Sequence, residues 1–171
     1  MKRAFIILIL VLINLNMFSV EFPLSRNCRV TSGLGYRTDG FVGGQKNLHK
    51  GVDISAPEGT PVKSAFSGIV IEHWPSPTGF YEGKKIGYYR GHPDYGGMIT
   101  IQDLDGKGIT LYGHFSQTYV KEGDFIQEGE VIGLVGNTGK STAPHLHVER
   151  WVDIIQEIDN ILSMEVKENL Q

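Results

Sequence analysis

Short runs of alternating hydrophobic and polar residues recur along most of this chain. In "VDIS" (52–55), Val52 and Ile54 share one face while Asp53 and Ser55 share the other. "MITIQ" and "GITLYGH" show the same period of two on either side of Asp105-Gly106, a hairpin turn signal. "PHLHVERW" repeats it, with Leu146 and Val148 facing one way and His145, His147 and Glu149 the other. A further short strand is expected around Cys28 to Thr31, followed by loops. "TPVKSAFSGIVIEHW" holds two more, broken at Ser67-Gly68, and "VKEGDFIQEGEVIGLVGNTG" holds several separated by Glu-Gly turns. Short strands at this spacing predict a mostly β fold: an antiparallel sheet core, arranged as an open barrel or sandwich.

Three stretches depart from this period. "AFIILILVLI" (4–13) is continuously apolar and follows Lys2 and Arg3, the pattern of a signal peptide; the apolar run continues to Val20, so residues 1–20 read as a signal peptide or an N-terminal membrane anchor. Either reading places the domain outside the cytoplasm. The segment from His73 to Gly97 is long, aromatic and loop-like, and loops of this length are often functional. Near the C-terminus, Trp151, Ile154, Ile155, Ile158 and Ile161 fall at helical spacing, which predicts an amphipathic helix or tail over residues 152–171.

Composition narrows the classes. The 171 residues suffice for one domain with a core that needs no cross-link, and the 22 glycines fit a turn-rich β protein. With 16 Lys+Arg against 19 Asp+Glu, the chain has no basic footprint for nucleic acid. Cys28 is the only cysteine, so an internal disulfide is excluded, and the residue reads as a small, at least half-buried side chain.

The chemistry gathers in three short motifs. "LHKGVD" places His49 and Asp53 four apart, on one face of an extended segment, with Gly51 leaving room between them. "HLH" places His145 and His147 on one strand face, with Glu149 beyond them. "LYGHFS" places His114 just after a strand. Each motif alone is as compatible with a polar strand face. Together they hold four of the six histidines. Two histidines and an aspartate with an open fourth position suit a catalytic zinc site, whereas a closed structural site would usually draw on cysteine. Surplus histidines suit proton or charge work.

"HKGVD", "GHFS" and "STAPHLHVE", in this order, resemble the lysostaphin-type (LytM-domain) zinc endopeptidases, which cut peptide bonds in bacterial peptidoglycan. "TSGLGYR" is similar to the Ser-x-Phe-Gly-x-Arg element of that family, and "DFIQEGEVIGLVGNTGKST" to its glycine-rich run. The likeness covers roughly residues 26–151, the expected peptidase domain. It implies an antiparallel β core with a groove over the metal. It implies Zn²⁺ on His49, Asp53 and His147, with His114 and His145 as catalytic histidines whose roles stay unassigned between them. Glu149 is a candidate for orienting a ligand histidine, or else a surface carboxylate. The implied substrate is the peptide crosslink of peptidoglycan, and the implied location is the periplasm or cell envelope, with the N-terminal segment as an anchor if it is not cleaved. A regulatory protein partner also fits the family.

The His73 to Gly97 segment is longer than the usual family connection there. His73 and His92 are expected to be exposed in it, and Tyr81, Tyr88, Tyr89 and Tyr95 to line the groove or pin the loop. Ser141 and Thr142 are either substrate contacts or turn residues. Rival readings are a non-catalytic domain of the same fold that binds peptidoglycan or activates a hydrolase, a lipoyl- or biotinyl-type carrier, and a zinc peptidase that removes terminal D-alanine. The bond cut is left open between a D-amino-acid crosslink and a glycine bridge.

Overall fold

The computed structural model describes residues 21–25, 28–38, 46–76, 80–81, 84–85 and 91–152. The export segment and the expected C-terminal helix lie outside the described residues, as do Tyr88 and Tyr89. The described residues form strands and no helix. In chain order these are β1 (Arg29–Ser32), β2 (Gly35–Thr38), β3 (Lys46–His49), β4 (Val52–Ser55), β5 (Pro61–Lys63), β6 (Gly68–Trp74), β7 (Phe80–Tyr81), β8 (Lys84–Lys85), β9 (Gly97–Asp103), β10 (Gly108–Thr118), β11 (Phe125–Ile126), β12 (Val131–Val135) and β13 (His145–Val152).

One sheet runs β1-β4-β13-β10-β9-β6-β11, with every neighbouring pair antiparallel. The Asp105-Gly106 hairpin joins β9 to β10 as expected, with Gly106 at φ 72° and its N–H donating to the Asp103 carbonyl at 3.0 Å. β10 is long and bends midway. Its first half pairs with β9 and β13, and its end pairs with β12, with register shifts on both sides of Phe115. β12 in turn pairs with β5. The apolar faces of these strands meet in one core, in which Val62, Ile99, Tyr112, Phe115, Ile132, Val135 and Leu146 are fully buried. Tyr112 brings a hydroxyl into this core, where it accepts a hydrogen bond from the Ala65 N–H at 2.8 Å.

Several local expectations need correction. The chain after Thr31 is not only loop: β2 and β3 pair as a separate two-stranded ribbon, Gly35 opposite His49 and Arg37 opposite Asn47. His49 and Asp53 therefore do not share one strand; the chain turns at Lys50-Gly51 between β3 and β4. Trp151 belongs to β13, not to a helix, because β13 extends to Val152 along the edge of β10. The start of the expected aromatic loop is strand too, since β6 runs on to Trp74.

Candidate metal centre

Two strand registers assemble the site. Across β4 and β13, His147 stands opposite Asp53, and across β13 and β10 it stands opposite Gly113. His49 arrives from the end of β3. The result is a tight trio. His49 Nε2 lies 3.0 Å from Asp53 Oδ1 and 3.0 Å from His147 Nδ1, and His147 Nδ1 lies 2.8 Å from Asp53 Oδ1. All three residues are buried. Gly51 serves this approach in a way the sequence reading missed. A Cβ there would stand 2.3 Å from the Val148 carbonyl and 2.9 Å from His147 Nε2, so the glycine admits β13 and the His147 ring rather than spacing His49 from Asp53.

The partners on the far side of each ring decide what the trio can do. His49 Nδ1 lies 2.7 Å from the Gly33 carbonyl, which can only accept, so that nitrogen carries the hydrogen and Nε2 keeps its lone pair. His147 Nε2 lies 3.0 Å from Glu149 Oε1, and by the same logic Nδ1 keeps its lone pair. With both rings neutral, two imidazole lone pairs and a carboxylate oxygen converge within 3.0 Å. Three acceptors at this distance are mutually unfavourable until a cation joins them. His, His and Asp are ligand types that zinc accepts, so the residues present fit a divalent metal.

The surroundings stabilise charge at the same point. Burial would raise the Asp53 carboxyl, but the neighbouring imidazoles of His145 and His147 and the Arg37 guanidinium hold it well below the usual carboxylate range. Arg37, on β2, donates to Asp53 Oδ2 at 2.8 Å and to Ser32 Oγ at 2.7 Å. The motif that contains Arg37 assigns it no task by itself. The available signal was its charge, opposite to that of the buried aspartate. Glu149 is also settled: it is 1% exposed, so it is no surface carboxylate. Burial raises it, yet the His147 and Tyr95 hydrogen bonds prevail and keep it ionised.

His114 and His145 stand beside the trio, their ring centroids 4.5 Å apart. His114 Nδ1 donates to the Thr138 carbonyl at 2.6 Å, and His145 Nδ1 donates to the Ala143 carbonyl at 2.8 Å, which leaves an Nε2 lone pair on each ring. His145 Nε2 lies 3.5 Å from Asp53 Oδ1. Burial, reinforced by His145, pushes His114 down to about 4. His114 does not follow a strand end as expected. It lies within β10 at the bend, with φ 68°, the one non-glycine residue in the left-handed region among those described. Such strain at a bulge re-aims a side chain and is common at functional sites.

A cleft of about 770 Å³ opens over these residues, rimmed by Asn47, Lys50, Asp94, Lys140 and Thr142. Ser141, also on its wall, donates to the Ala143 carbonyl at 2.9 Å and lies 3.1 Å from His145 Nδ1, so it braces the turn that holds His145. His73 and His92 are not exposed. His73 Nε2 lies 2.8 Å from Thr118 Oγ1, and His92 Nδ1 accepts the N–H groups of Asp94 and Tyr95. Both serve the fold of their segment.

Fold and site together define a β-sheet scaffold with a His-Asp-His arrangement that fits a metal ion. Residues 47–159 match peptidase family M23, and the chain belongs to that family. It is 38% identical over 125 residues to the DD-carboxypeptidase/endopeptidase Mpg of Neisseria meningitidis, covering 73% of this chain and 25% of that protein. Among solved structures, the catalytic domain of the antimicrobial peptidase lysostaphin from Staphylococcus simulans has 36% identity and a TM-score of 0.59, covering 74% of this chain and 82% of that one. A zinc-containing peptidase from Vibrio cholerae has 31% identity and a TM-score of 0.61, covering 77% of this chain and 36% of that one. The chain spans about a quarter of the length of the curated relatives it matches.

Proposed function

We propose that this chain is a zinc-dependent endopeptidase domain that hydrolyses peptide crosslinks of bacterial peptidoglycan. The carrying observation is the convergence of His49 Nε2, Asp53 Oδ1 and His147 Nδ1 within 3.0 Å of one another. These three residues would hold the zinc. When bound, the metal supplies Lewis acidity for activating a water and polarising the scissile carbonyl. His114 and His145 do the proton work. A neutral imidazole with Nδ1 tied to a carbonyl accepts a proton at Nε2 from the attacking water and returns it to the leaving amine nitrogen. The low affinity of His114 for a proton keeps it in the accepting form at neutral pH. The same two nitrogens, once protonated, can donate to the oxygen that gains charge.

Peptidoglycan as substrate is supported by a relative named as a peptidoglycan DD-endopeptidase, and it implies work outside the cytoplasm. Residues 1–20 then serve as export signal or anchor, residues 26–151 as the peptidase domain, and the tail as an accessory segment. Among the described residues, no helix is long and apolar enough to cross a membrane.

The test is metal content together with digestion of purified crosslinked peptidoglycan, with products identified by mass. The expected result is one zinc per chain, dimers cut to monomers by the wild type, and neither bound zinc nor cleavage by Asp53→Ala. Release of a terminal residue without loss of dimers would move the reaction to a carboxypeptidase. Bound zinc without cleavage of any wall type would overturn the hydrolase reading.

A further inference from the structure

The segment His92–Gly97 contains Tyr95, a residue the mechanism above does not use. Its backbone carbonyl accepts the N–H of His114 at 2.7 Å. Its hydroxyl donates to Glu149 Oε1 at 2.6 Å, a short charge-assisted bond. Its ring lies 5.4 Å from the His147 ring, tilted by 33°. A single side chain and its own carbonyl thus touch both the strained histidine and the support of a metal-facing one.

Glu149 shows why the hydroxyl matters. Both of its hydrogen bonds fall on Oε1, from Tyr95 and from His147, while the buried Oε2 has no partner. A carboxylate held only for stability would spread its bonds over both oxygens, because an unsatisfied buried oxygen costs free energy. Concentrating both donors on one oxygen instead fixes that oxygen in space. Oε1 then sets which nitrogen of His147 carries the hydrogen, and therefore which one presents its lone pair to Asp53 and His49. Gly113 is the other half of the fit, since a Cβ there would lie 3.3 Å from the Tyr95 ring and press on it.

We infer that Tyr95 is a positioning residue for the metal centre, acting through Glu149 on His147. The role rests on the His49-Asp53-His147 centre proposed above. It goes beyond the expectation that Tyr95 lines the groove or pins the loop, and Tyr95 does stand in the wall of the cleft. Its segment is itself anchored: His92 and Gly96 bond each other through their backbones at 2.7 and 2.8 Å, the Gly97 N–H donates to Thr138 Oγ1 at 3.0 Å, and the Lys140 N–H donates to the Asp94 carbonyl at 2.8 Å. The tyrosine therefore stands on a braced turn.

The experiment uses the full chain and reads the metal itself. Zinc affinity is measured by competition with a chromogenic chelator, and the visible absorption of the cobalt-loaded chain is recorded. Tyr95→Phe removes only the hydroxyl. It is expected to weaken zinc binding by about 10–100-fold, the usual effect of losing a support behind a ligand, and to alter the cobalt spectrum. Glu149→Gln is expected to weaken it in the same direction. Tyr36→Phe, at an exposed position outside this network, is the control and should change neither. Wild-type affinity and an unchanged cobalt spectrum in Tyr95→Phe would overturn the role, and that variant decides the matter even if Glu149→Gln fails to fold. A wild-type chain that takes up no zinc overturns the metal centre and the positioning role with it; a wild type that binds zinc beside an indifferent Tyr95→Phe overturns the positioning role alone.

Discussion

Strand β13 carries two polar clusters, one half-buried and one buried, that differ in how donors and acceptors are balanced. Toward its far end, Arg150 donates through Nη1 to Asp103 Oδ1 at 2.8 Å and to Thr110 Oγ1 at 2.7 Å, and through Nη2 to Asp103 Oδ2. Its guanidinium also stacks 3.8 Å above the Phe66 ring. Here each acceptor faces a donor and the opposite charges are paired. Gly108 makes the approach feasible, as a Cβ there would stand 2.2 Å from Arg150 Nη2. Near the start of the same strand, His147 joins His49 and Asp53 with acceptors facing acceptors. The first cluster is complete as it stands. The second, with its imidazoles neutral, is complete only with a cation. Clustered polarity by itself therefore says little about function; the balance of donors and acceptors separates a structural cluster from a reactive one.

The largest effect expected from breaking this contrast falls on catalysis at the open end. Replacing His114 or His145 by alanine should lower the rate of crosslink cleavage by about 10²–10⁴-fold with zinc still bound, read by digestion kinetics beside metal analysis. A matching loss of zinc would instead make the residue a ligand. At the closed end, Arg150→Met should cost about 1–3 kcal/mol of stability by stranding Asp103, yet leave zinc content unchanged; denaturant unfolding with metal analysis separates the two.

A smaller effect tests the strain at the bend of β10. The φ of 68° at His114 favours glycine over alanine. His114→Gly should therefore be more stable than His114→Ala by about 1 kcal/mol, the reverse of the usual order within a strand. An alanine variant equal to the glycine variant would show that the bend relaxes once the imidazole is gone.

The smallest effect is a pH dependence away from the metal. Burial lowers His73, against the opposing pull of Glu122 and Asp124. A lowered histidine resists protonation in the folded chain. As pH falls below the ordinary imidazole value of about 6.5, the unfolded chain takes up a proton that the folded chain refuses, so this contribution to stability is lost in acid. His73→Gln should make unfolding of the metal-free chain less sensitive to pH between neutrality and mild acid. An identical slope in the variant would remove His73 from the account.

Much of this protein was legible in one dimension. The period of two marked "VDIS", "MITIQ" and "PHLHVERW" as strands and named the face that each turns to the core, because alternation is a local property of extended backbone. The same rule put His145, His147 and Glu149 on one face of β13. Ring positions that depend on distant partners were not legible. His147 meets Asp53 across 94 residues of chain, through a register that core packing around Ile54 and Leu146 selects. The ribbon of β2 and β3 that carries Arg37 to Asp53, the bend that turns His114, and the turn that sets Tyr95 against Glu149 are likewise products of long-range contact. Which residue types gather, and on which strand faces, was thus written in the sequence. Which nitrogen keeps its lone pair was decided only by the tertiary structure, because a histidine's tautomer depends on the partner that folding brings to its other side.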